Sequence, residues 1–131
     1  MVDILREHWL ETYKSLIAIF IEGFKFSALA NGGSAVAILA YLGNVAGKGV
    51  QVPDMRCPML AFLVGLVACG LSVLFAYLTQ LKLLDEIRNE ISRSETPQFT
   101  HGWLLFSAII FFVISIFAFG VGSWQAVIRF H

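Results

Sequence analysis

No Asp, Glu, Lys or Arg occurs from Phe26 to Gly47, from Cys57 to Leu81, or from Thr96 to Ile128. Each of these runs exceeds the roughly 20 apolar residues that carry a helix across a ~30 Å hydrocarbon core. One such run is compatible with a long buried helix in a soluble protein. Three of them in 131 residues leave no sequence for a polar shell. Only 14% of the chain is charged, against about 25% in a typical soluble domain. The expectation is an all-α integral membrane protein, residues 1–131 forming a single membrane domain.

The charges that remain have a pattern. At 100° per residue, Asp3, Glu7, Glu11, Lys14, Glu22 and Lys25 fall on one narrow face of residues 1–25. Leu5, Trp9, Tyr13, Leu16, Ile17, Phe20 and Phe24 fall on the other. This predicts an N-terminal amphipathic helix, with Glu11–Lys14 and Glu22–Lys25 spaced to pair at i,i+3. Its mixed-sign polar face favours packing against the same protein over lying on a lipid surface. The acidic residues near the start do not suit a secretory signal peptide.

The first transmembrane span is expected over 26–47. Asn31-Gly32-Gly33 interrupts it early, and two adjacent glycines allow a kink or a break. Residues 43–58 hold Gly43, Asn44, Gly47, Gly49, Pro53 and Pro58 and read as a loop. The second span is expected over 58–81, with Pro58 at the first helical position. No breaker follows, so the helix should run on through 82–94 as a cytoplasmic extension, with Leu84, Ile87 and Ile91 as an apolar stripe. Residues 95–102 read as a loop stopped by Pro97, and the third span covers 103–128.

Lys and Arg set the expected orientation. Arg6, Lys14, Lys25, Lys82, Arg88 and Arg93 lie on one side, and Lys48, Arg56 and Arg129 on the other. Six against three places the N-terminus in the cytoplasm. Trp103 and Trp124 are spaced to sit at the two membrane interfaces, about 31 Å apart along a helix.

Catalytic chemistry has no visible basis. His8, His101 and His131 are scattered, no serine has a His/Asp partner in view, and no metal-ligand or cofactor motif stands out. A net charge of zero argues against a nucleic-acid surface. Two cysteines, Cys57 and Cys69, are too few for a disulfide framework. The expectation is a non-enzymatic protein without cofactor or metal.

Small residues are the more informative signal. Ala61, Gly65, Cys69, Ser72, Ala76 and Thr79 recur at spacings of three and four in the second span. Such a stripe lets another helix approach closely, and it also suits a mildly polar pore lining. Asn31, Gly65, Cys69, Ser72, Ala76, Thr79 and Gln80 are therefore candidates for either role. Ser107, Ser115, Ala118, Gly122 and Gln125 form a weaker stripe in the third span. Phe112 reads as lipid-facing.

Asn31-Gly32-Gly33-Ser34-Ala35-Val36-Ala37, with Ala76-Tyr77-Leu78-Thr79-Gln80 and Phe117-Ala118-Phe119-Gly120, resembles a signature of small bacterial multi-span membrane proteins. The likeness covers most of residues 10–125 and carries no established chemistry, so it transfers no functional residue. By architecture alone the chain also resembles membrane effectors of bacterial anti-phage systems. These likenesses imply the bacterial inner membrane. One functional expectation is a homo-oligomeric membrane pore or ion channel, in the manner of a defence effector, gated through its cytoplasmic helices by a ligand or regulatory protein. A phage-lysis pore is a variant of it. The other is a non-enzymatic accessory or scaffold subunit of a larger membrane complex.

Overall fold

The computed structural model describes residues 2–49, 53–92 and 102–129. They form three helices: α1 (Val2–Val45), α2 (Arg56–Ser92) and α3 (Gly102–Arg129). All three are long and apolar enough to cross a membrane. The expected loop over 95–101, His131, and the side chains of Asp3, Leu5, Trp9, Ile87 and Ile91 lie outside the described residues.

Two boundaries differ from expectation. The amphipathic stretch and the first apolar run are one continuous helix of 44 residues, with no break at Asn31-Gly32-Gly33. Each glycine inside a helix costs about 1 kcal/mol relative to alanine, but Asn31 offsets this by bonding inside the bundle: its Nδ2 donates to Ser27 O one turn back, at 3.1 Å. α1 also runs through Gly43 and Asn44, so the turn begins later. Gly47 and Gly49 take φ of 80° and 68°, which only glycine adopts without strain, and there the chain reverses.

α2 starts at Arg56, two residues before Pro58. Asp54 Oδ1 accepts the Arg56 N–H at 3.1 Å, and Met59 N donates to Met55 O at 3.0 Å. Pro58 therefore lies within the first turn, where a missing N–H loses no intrahelical partner. From there α2 runs unbroken past Lys82, as expected, to Ser92.

α2 and α3 form the most extensive helix pair, and α1 packs against both. At the end carrying the α1–α2 turn, Ala35, Ile38, Met55 and Phe62 make an apolar core. Phe62 and Phe119 meet with ring centres 6.0 Å apart. Arg129 ties down the same end: its Nη1 donates to Asp54 O at 3.0 Å.

The opposite end is open. Every described side chain from Leu10 to Glu22 is exposed. The apolar face of α1 looks onto α2 and α3 across a half-open cleft of about 620 Å³, walled by Tyr13, Phe20, Val73, Ala76, Tyr77 and Ile109 among others. Phe112, read from sequence as lipid-facing, is half-buried: it borders this cleft and packs edge-on against Phe24, with ring centres 5.3 Å apart.

The glycines record how close these approaches are. A Cβ on Gly122 would stand 2.8 Å from the Phe62 ring, whereas one on Gly70 would meet nothing within 4 Å. Gly122→Ala is expected to destabilise by about 1–2 kcal/mol, since the ring can give way only partly. Gly70→Ala is expected to stabilise by about 0.5–1 kcal/mol, through lower backbone entropy in the unfolded chain. Thermal unfolding in detergent micelles measures both, and shifts of the same sign and size would contradict the packing described.

Candidate functional site

Midway along the bundle the three helices meet at a polar node. It grows from one helical spacing: Ser27 and Asn31, at i,i+4 on α1, both point into the bundle and are essentially unexposed. Ser115 of α3 and Gly65 of α2 complete it. Ser115 Oγ donates to Gly65 O at 2.6 Å. A hydroxyl carries one hydrogen and accepts twice, so in the 2.7 Å contact between Ser27 and Ser115 the donor is Ser27. The second acceptor site of Ser115 Oγ takes Asn31 Nδ2 at 3.2 Å. Asn31 Nδ2 also lies 3.3 Å from Ser115 O. These carbonyl acceptors fix which end of the amide faces them, because only the NH₂ can donate.

Asn31 Oδ1 has no hydrogen-bond donor. It rests against the Cα of Gly65, where any Cβ would land on the amide. Close Cα–H···O contacts of this type recur at helix–helix interfaces. The glycine is thus what permits a full carboxamide at the three-helix junction.

Two further contacts extend the node towards the cleft. The Cys69 thiol reaches Phe24 O at 3.6 Å, and Ser72 Oγ donates to Ala108 O at 2.6 Å. Each bond runs from α2 to a backbone carbonyl of a different helix, so α1 and α3 are both tied to α2. Interhelical hydrogen bonds in membrane bundles average about 0.6 kcal/mol and reach about 1.7. The node therefore contributes a few kcal/mol, besides fixing the rotation of each helix about its axis.

The candidates named from sequence divide into two groups. Asn31, Gly65, Cys69 and Ser72 come together inside the subunit, buried among the three helices. Ala76, Thr79 and Gln80 border the cleft, and Thr79 Oγ1 bonds within its own helix to Phe75 O at 2.8 Å. Ser27 and Ser115 are central and stood outside the candidate set. The i,i+4 pairing of Ser27 with Asn31 was the available signal for the first. Ser115 sat in the weaker α3 stripe.

The node consists of hydroxyls, one carboxamide and backbone carbonyls. An amide does not take the proton of a serine, so the arrangement holds helices together and does not activate a nucleophile. Among the described residues no three His, Cys, Asp or Glu side chains are grouped to hold a metal ion. Comparison with known protein families, curated proteins and solved structures finds no match.

Proposed function

We propose that the chain is the membrane-spanning subunit of a homo-oligomeric pore or ion channel, opened from the cytoplasmic side through the projecting ends of α1 and α2. The observation that carries this reading is the mismatch between helix lengths and bilayer. α1 and α2, of 44 and 37 residues, are about 66 and 55 Å long, against a hydrocarbon core of ~30 Å. α3, of 28 residues, is about 42 Å. The surplus of both long helices lies on one side, the start of α1 and the end of α2. Those two ends flank the cleft.

The node supports the oligomer. It engages Ser27, Ser115 and the Asn31 NH₂ between helices, and three helices are too few to enclose an aqueous path, so water would pass between copies. Closed rotational symmetry is the usual arrangement. In this reading the membrane is the bacterial inner membrane, with the N-terminus cytoplasmic by the Lys/Arg bias. A cytoplasmic ligand or regulatory protein is the trigger, as the layout's likeness to anti-phage membrane effectors suggests.

Native mass measurement in detergent and recordings from the reconstituted protein in planar bilayers test this together. The expected result is an oligomer with discrete conductance steps, and a reporter fused after residue 131 should read as periplasmic. A monomer, or an oligomer that passes no current, would replace the pore with the accessory-subunit reading.

A further inference from the structure

α1 carries two opposed faces. Ser27, Asn31, Ala35 and Ile38 are buried in the bundle. The opposite face bears Ala18, Glu22, Lys25, Gly33, Ala40 and Gly43, none of them buried. Glu22 and Lys25 pair at 2.7 Å with side chains 71% and 62% exposed, on the side of α1 opposite Ser27 and Asn31 by helical position.

The depth of that ion pair makes its exposure informative. Asn31 and Ser115 are level, being hydrogen-bonded, and α1 and α3 run in the same direction. Trp103, at the expected interface, lies about 18 Å below Ser115 along α3. Lys25 and Glu22 lie only about 9 and 13 Å below Asn31 along α1. Both charges therefore sit on the bilayer side of the Trp103 level, at the edge of the hydrocarbon layer. Ionisable side chains at such depth almost always face protein or a water-filled cavity. Here they face away from their own bundle, so the bundle is not their whole surroundings.

We infer that the outer face of α1 docks onto a second copy of this chain, with Glu22 and Lys25 pairing between neighbours as well as within one helix. Parallel copies around an axis normal to the membrane carry both charges at the same depth, which makes the face self-complementary in charge. Beyond the pair, Gly33 and Gly43 present open space where a Cβ would stand, so a neighbouring helix can approach closely. The inference rests on the homo-oligomer reading above and names the surface that builds it.

Disulfide trapping in native membranes tests it, in a Cys57→Ser background that retains the buried Cys69. Ala18→Cys and Ala40→Cys should form cross-linked dimers several-fold more readily than Phe117→Cys and Val67→Cys, which lie on exposed surfaces of α3 and α2. In the Ala18→Cys chain, Glu22→Lys alone or Lys25→Glu alone should lose most of the dimer. Co-expressing the two, with different tags, should restore a mixed dimer. Neither chain can then form the pair internally, so recovery reports contact between copies. Equal trapping at all four sites, or no mixed dimer from a preparation still oligomeric by mass, would overturn this face and leave the pore reading standing. A monomer by mass would remove both.

Discussion

Gly65→Ala is expected to destabilise the bundle by about 2–3 kcal/mol, and Gly65→Leu to prevent recovery of folded protein. The added Cβ falls on the Asn31 amide, which is pinned by contacts to Ser27 and Ser115. Relief requires either that α2 withdraw from α1 or that Asn31 surrender its bonds. Overpacking of this kind costs about 1–3 kcal/mol, and lost interhelical bonds add to it. Asn31→Ala opens the space the new methyl needs, so the double variant should lose less than the sum of the two single ones. A coupling of at least about 1 kcal/mol is expected for residues in such contact. Thermal unfolding of the four chains in micelles supplies the cycle. Strict additivity would show that Gly65 and Asn31 do not compete for one space.

The second large effect is electrostatic. Asn31→Asp keeps the volume of the side chain but replaces two N–H donors with a group that is acceptor-only when ionised. It would then confront the carbonyl oxygens of Ser27 and Ser115 at the middle of the bundle. Burial and the facing carbonyls both make a carboxylate costly there. At neutral pH the loss should approach the roughly 2.5–3.5 kcal/mol found for an Asp at the centre of a span. Asn31→Leu removes the same bonds without adding a charge and should lose less. Unfolding midpoints of the two variants at neutral pH separate the cases. An Asn31→Asp chain as stable as Asn31→Leu would mean that the site is wet.

These two residues also show where local reading of the sequence stops. Three charge-free runs of this length have few alternatives to long apolar helices, and the absence of a breaker after Leu81 carried α2 on to Ser92. The break that Asn31-Gly32-Gly33 allows did not form. Glycine propensity is a weak local preference, and the opposing contact comes from Ser115, 84 positions away. No periodicity along α1 reports that partner. The small stripe of α2 was legible as a stripe, but its division was not: Gly65, Cys69 and Ser72 meet other helices, while Ala76 and Gln80 border open space. That division depends on where α1 parts from α2, a tertiary fact. The packing of Phe112 on Phe24 was hidden for the same reason, because one aromatic in an apolar helix does not reveal which side its neighbours occupy.

An unbroken α1 pinned at Asn31 is a lever with unequal arms. From Val2 to Asn31 the helix spans about 43 Å, and from Asn31 to Val45 about 21 Å. A stiff helix turning about the node moves its far end half as far as its start, in the opposite sense. Anything that draws the start of α1 across the cleft towards α2 therefore pries at Ala35 and Ile38, the residues that seal the other end. The fulcrum would feel little translation, so the short bonds of the node would be tilted and not pulled apart.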